Sequence, residues 1–351
     1  MKRKIIFTVH SVAGLVSGIF ILLISLSGAI LVFRKDLDRF TYPAIRVETG
    51  KSIIAVDSCY INIQKQYSSV QISHCKLPAT DDDPFVFTIY DSAKSGGTEP
   101  MQVFLHPQNG NILKTRSDRN NFLNWVAIMH NSFHLGKTGE WLFGFFAAVL
   151  VISTLTGLLL YRKNILAVLT FKRRVWKWKN IHQVVGVYAL FFNLMIGITG
   201  FWMQRYVFKK DFYQSSGYTP VFKASPHLFF SVDSALKNLK NQHPDFIPHV
   251  IYFAQSKKGS TTVYGGRSSN SFIHSKEFAD ALFLDSAGTV KSTAFVDEID
   301  ASNRYDIINA QIHYGQYGGL PVKIIYCLFG LTGGLLSITG FLLWLKRIRL
   351  K

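Results

Sequence analysis

The chain has 351 residues, is 48% hydrophobic and carries a formal net charge of +18. Four stretches without Asp, Glu, Lys or Arg (5–33, 141–161, 181–203 and 324–345) are each long enough to cross a hydrocarbon core of about 30 Å, which excludes an ordinary soluble globule. Fourteen of the positive charges lie in three short segments that contain no acid, so the surplus sets topology, its partner is the lipid bilayer, and no folded basic face is left for nucleic acid.

Residues 5–33 follow Met1-Lys2-Arg3-Lys4. This apolar run is about twice the length of a signal-peptide core and lacks a small-x-small cleavage site, so it reads as a retained helix. It carries His10 and Gly14 near its start and Ser27-Gly28 near its end. Residues 34–129 read as a small outward α+β domain: Val56-Asp57-Ser58 opens a helix to Tyr67, with Asp and Ser as its capping region, 85–90 reads as a strand, and 103–110 marks a strand, a tight turn with Gly110 and a following strand. Cys59 and Cys75 fall in this segment; bridged and free thiols both stay open.

Residues 130–161 bring His130 and His134 ahead of the second span, and 162–180 form a basic loop with Lys172, Arg173, Arg174 and Lys177. The third span, 181–203, carries His182, Gly186 and Thr199-Gly200. Residues 204–312 form a second outward α+β domain, with a helix opened by Val232-Asp233-Ser234 and a strand–turn at 282–288. His313 then precedes the fourth span, the two together covering 313–345.

The chain repeats itself. At an offset of 172, His10, Gly14, Ser27 and Gly28 fall on His182, Gly186, Thr199 and Gly200. At 183, Thr156-Gly157 falls on Thr339-Gly340 and His130 on His313, while His134 meets Tyr317. The expected fold is an integral membrane α-helical protein: a four-helix transmembrane bundle with internal duplication, plus two small α+β outward domains. The basic segments place both termini in the cytoplasm. An ionisable side chain inside a membrane span is costly and marks a functional site by default.

His10-x3-Gly14, Gly139-Glu140-Trp141-Leu142-Phe143-Gly144, Ile181-His182-x3-Gly186 and His313-Tyr314-Gly315-x2-Gly318-Gly319-Leu320-Pro321 together resemble the PepSY-associated transmembrane family. That family includes iron-regulated membrane proteins and periplasmic ferrisiderophore reductases. The resemblance implies PepSY-like outward domains in the periplasm, a bacterial inner membrane, and two haem b groups between the helices. Depth sorts the histidines into two layers, His10 with His182 on the cytoplasmic side and His130 with His313 on the outward side. His134, one helical turn after His130, competes for the outer site. Gly14 and Gly186 lie one turn from their histidines and would clear a flat macrocycle.

The expected function is di-haem electron transfer from a cytoplasmic-side donor, a flavoprotein or quinol, to a siderophore or other iron chelate in the periplasm. Tyr314, Tyr317, Arg304 and Lys209 are the expected chelate-binding residues. A non-enzymatic PepSY anchor for envelope sensing or peptidase regulation is the competing reading. The six remaining histidines, His74 among them, are expected at the surface.

Overall fold

The segment after the first basic cluster has no Asp, Glu, Lys or Arg from 5 to 33, and in lipid such a segment can satisfy its backbone only as a helix. In the computed structural model it forms α1 (Arg3–Val32), followed by the short α2 (Arg34–Thr41). The structure describes residues 3–41, 55–67, 69–80, 83–91, 99–118, 120–170, 178–214, 224–225 and 227–349. Lys2, Lys172, Arg173, Arg174, Trp176, Lys177 and Lys351, all assigned to the cytoplasmic side by the sequence, lie outside the described residues.

The chain divides into a helical unit (1–34, 125–215 and 309–351) and a sheet unit (35–124 and 216–308). In the helical unit, α4 (Phe122–Ser132) precedes α5 (Gly136–Tyr161), and α6 (Ile165–Leu169) follows a short turn. Then come α7 (Trp178–Tyr188) and α8 (Leu190–Met203); α10 (Ala301–Tyr314) enters this unit at Asn309 and leads to α11 (Gly319–Arg349). α1 packs along α11 and α5, α5 along α8, and α11 along α7 and α8.

Three helices are long and apolar enough to cross a membrane, and α7 and α8 pass that test as a pair bent by 66°. The sequence reads 181–203 as one straight span; the break falls at Ala189, fully buried, with ψ near 1°. No proline or glycine stands at that position, so nothing in the apolar pattern marks it.

The sheet unit departs from the expected pair of domains. Its eight strands form one antiparallel sheet, β4-β3-β2-β1-β5-β6-β7-β8. Here β1 is Val70–Lys76, β2 Phe85–Asp91, β3 Pro100–Leu105, β4 Ile112–Ser117, β5 Phe246–Tyr252, β6 Thr261–Arg267, β7 Asp280–Leu284 and β8 Val290–Ala294. The halves join where His74, Cys75 and Lys76 of β1 pair with Tyr252, Ile251 and Val250 of β5. A lone four-stranded half would leave one of these strands as an open edge, and edge-to-edge pairing removes both edges at once. One core then serves both halves. Tyr60 and Ile63 of α3 (Val56–Gln66) and Leu239 of α9 (Val232–Gln242) pack with Ile72, Phe87, Ile251 and Leu282 from both sets of strands. Cys59 and Cys75 sit in this core as free thiols, and burial pushes the Cys59 thiol up to about 12.

The two outward helices cap each other. The Asp233 carboxylate accepts from the backbone N–H of Val56 and Asp57, both at 2.9 Å, while Asp57 accepts from Val232 N–H at 2.8 Å and from Ser231 Oγ at 2.6 Å. The sequence places each aspartate at the start of its own helix; the structure lends each to its neighbour. Asp233→Ala strips α3 of both acceptors and is expected to cost about 1–2 kcal/mol, seen as a lower Tm for the sheet unit in the full chain. An unchanged Tm would contradict the cross-capping.

Beyond the β1–β5 junction, Glu277 binds Lys35 Nζ at 2.5 Å and Lys76 Nζ at 3.0 Å. Burial opposes ionisation of this carboxyl, yet Lys76 and Lys35 outweigh it and hold it at about 2. The unfolded value is about 4.3, so the stability Glu277 confers is complete above that pH and lost as pH falls towards about 2. Glu277→Gln is expected to flatten the dependence of Tm on pH across that window; parallel curves for the two proteins would contradict the ion pairs. His74 is not a surface residue either. It stacks on Tyr252 at 4.6 Å, and burial holds it neutral down to about 4.

Candidate functional site

Each of four histidines in the helical unit is held by a Ser/Thr–Gly pair on a neighbouring helix. His10 Nδ1 meets the Ser153 carbonyl at 3.0 Å and Thr156 Oγ1 at 3.2 Å. His130 Nδ1 meets the Ile24 carbonyl and Ser27 Oγ, both at 3.1 Å. His182 Nδ1 meets Thr339 Oγ1 and His313 Nδ1 meets Thr199 Oγ1, both at 2.9 Å. The glycine that follows each hydroxyl is where the ring lies. A Cβ on Gly28, Gly157 or Gly200 would come within 3.0–3.2 Å of the imidazole Cε1, and one on Gly340 within 3.5 Å.

The hydroxyls fix the tautomer. Each spends its one proton on the carbonyl four residues back in its own helix: Ser27 on Leu23 and Thr156 on Ile152 at 2.7 Å, Thr199 on Met195 and Thr339 on Leu335 at 2.8 Å. Its oxygen can then only accept, so Nδ1 carries the proton and donates. Nε2 is left bare, and for none of the four does it make a hydrogen bond among the described residues.

The rings come in two pairs. The centroids of His10 and His182 are 6.2 Å apart and those of His130 and His313 are 6.4 Å apart. A metal–imidazole bond of about 2 Å, plus about 1 Å from nitrogen to ring centre, puts two axial rings on one metal about 6 Å apart, centre to centre. The donor set therefore fits the haem that the resemblance implies. Among the described residues no three or more His, Cys, Asp or Glu side chains gather for a metal ion.

A cavity of about 840 Å³ opens at the first pair, lined by His10, Gly14, His182 and Gly186 and reaching Asn193 and Gly333. A Cβ on Gly14 would meet nothing within 4 Å, and one on Gly186 only Leu336 at 3.8 Å, so both glycines face open space. At the second pair, Phe143 lies edge-on to His130 at 5.4 Å. Asn309, one turn before His313 and 1% exposed, donates to the Thr199 carbonyl at 3.2 Å and so ties α10 to the helix that holds the His313 ring.

A family model described as PepSY-associated TM region matches residues 7–347. The chain belongs to that family. No curated protein is significantly similar to it.

The remaining expected residues of this PepSY-associated chain are not gathered at one place. α4 ends at Ser132, and Phe133 and His134 take left-handed φ values of 49° and 58°. His134 is thereby thrown off the face it was expected to share with His130 and lies exposed, 4.9 Å from the Trp125 ring. Tyr317 pairs with the hydroxyl of buried Tyr326 at 3.0 Å. Arg304 belongs to the sheet unit and donates to the carbonyls of Asp297 and Ile299. Lys209 closes a turn after α8 through its backbone N–H. Tyr314, half exposed and edge-on to His313 at 6.0 Å, is the one member of the expected rim beside a paired histidine.

Sequence reasoning picked out Ser27, Thr156, Thr199 and Thr339 only as marks of the repeat and missed them as site residues. The signal was present in the fourfold recurrence of the dipeptide.

Proposed function

We propose that this protein carries two b-type haems across a bacterial inner membrane, one between His10 and His182 and one between His130 and His313. In this reading it reduces a ferric siderophore or another ferric chelate on the periplasmic side, for iron uptake. The bent α7–α8 pair counts as one of four membrane passes of a duplicated unit, and both termini lie in the cytoplasm. The sheet unit is then a PepSY-type periplasmic region.

The observation that supports the reading is the fourfold Nδ1 bracket, which commits one nitrogen of each ring and leaves the other free in two pairs of neighbouring rings, with centroids 6.2 and 6.4 Å apart. An imidazole whose Nδ1 is already a committed donor offers Nε2 as a lone-pair ligand, and two such rings side by side can share one metal. A non-enzymatic anchor has no use for them.

Haem at each pair supplies one-electron chemistry. The chain's own residues do the rest: the hydroxyls orient the rings, the surrounding apolar side chains exclude water, and Tyr314 flanks the outward pair. A flavoprotein or quinol on the side of the termini gives up the electron, and the ferric iron of the chelate takes it to become ferrous. Ferrous iron is held less tightly by such chelates, so the metal is released without breaking the ligand.

Vesicles holding the full chain, with a membrane-impermeant reductant on the side of the termini, are expected to reduce a ferric chelate placed on the other side. A ferrous-specific dye reads the rate. A rate equal to that of protein-free vesicles would contradict the proposal.

A further inference from the structure

The cavity at His10 and His182 has a mouth of one charge. Arg3, Lys4, Lys179 and Arg347 line it, and no acid does among the described residues. Cytoplasmic helix ends collect cations for reasons of topology alone, but topology does not dictate the face on which they fall. Three of these four share the face of a site residue. Arg3 lies seven residues before His10, Lys179 three before His182, and Arg347 seven after Gly340, whose missing side chain admits the His182 ring. At about 1.5 Å of rise per residue they stand roughly 5–10 Å along their helices from the paired rings. Lys346 and Arg349 belong to the same helix end as Arg347 and do not line the cavity. Arg347 is also held in place, its guanidinium 4.9 Å over the ring of Phe7, another lining residue. Deeper in, the walls are largely apolar, with Leu15, Ile21, Leu150 and Leu336.

We infer that these cations form a carboxylate-binding mouth. It takes a flat, largely apolar ligand that bears acid groups along one edge and sets that edge towards the side of the termini. The inference rests on the haem reading, in which the acid groups are the two propionates. Arg347 is the strongest candidate for a two-pronged contact, since a guanidinium matches a carboxylate with two parallel N–H donors.

The test follows haem release from the purified full chain to an excess of a haem-scavenging apoprotein, and binding of haem against its dimethyl ester. Arg347→Gln is expected to speed release about tenfold, the scale of one charge-assisted hydrogen bond, whereas Lys346→Gln, an equal charge change one residue away, leaves it unaltered. Lys179→Gln gives a second reading should Arg347→Gln fail to fold. Wild type is expected to bind the dimethyl ester about tenfold more weakly than haem, and Arg347→Gln to narrow that gap. Equal release from Arg347→Gln and Lys346→Gln, or equal binding of acid and ester by wild type, overturns the mouth while leaving the haem reading intact. A wild-type chain that binds no haem removes both.

Discussion

Replacing His313 by Ala is expected to halve the haem bound per chain and to abolish ferric-chelate reduction while leaving the chain folded. The His313 ring lies beside that of His130, with centroids 6.4 Å apart, and its Nδ1 is committed to Thr199. His134, the rival at helical spacing, lies exposed beside Trp125. Removing one axial ligand leaves His130 alone, and a path with its outward station missing cannot deliver an electron outside. Because the inner pair is untouched, about one haem per chain should remain. His134→Ala is expected to retain both the full haem content and the reduction rate. Full haem in His313→Ala would show that the outer pair is not a ligand pair, whatever the rate.

Thr199→Val is the second variant with a large expected effect. Valine matches threonine in shape but lacks the oxygen that accepts from His313 Nδ1 at 2.9 Å. The buried N–H then has no acceptor, at a cost of about 1–3 kcal/mol. Hydrogen-bonded partners of metal-bound histidines change metal affinity by about 10–100-fold when removed, and haem retention should weaken on that scale. The midpoint potential of the outer haem should rise, since a less basic imidazole favours the ferric state less. Thr199→Ser keeps the hydroxyl and is expected to restore both. A redox titration of the three proteins checks the potential; identical potentials would mean that the hydroxyl only packs. Thr339→Val is expected to do the same at the inner pair through His182.

The parts of this structure that follow from periodicity and charge were legible in the sequence. The apolar spans, the helices opening at Val56 and Val232 and several of the strands rest on local patterns, which a chain displays without folding. What was not legible depends on what one segment does to another. Asp57 and Asp233 read as caps of their own helices because a cap is normally local; only the packing of α3 beside α9 makes the exchange possible. Two sheets became one because β1 and β5 each had an open edge, and an edge's partner is not written in its own strand. The helix break at Ala189 has no proline or glycine to announce it. His134 matched His130 at helical spacing, and the left-handed residues at 133 and 134 undid the match. The Ser/Thr–Gly pairs stood in the repeat without pointing to a site, since a hydroxyl four residues from a carbonyl usually satisfies itself within its own helix. Here that internal bond is what forces the imidazole to be the donor.

The central claim, that the two histidine pairs hold haem, meets its most direct test in a pyridine haemochrome assay on the purified full chain, with protein quantified by amino-acid analysis. The account predicts b-type bands at about two haems per chain, falling to about one in His10→Ala and in His313→Ala. A chain that shows no b-type bands would contradict it.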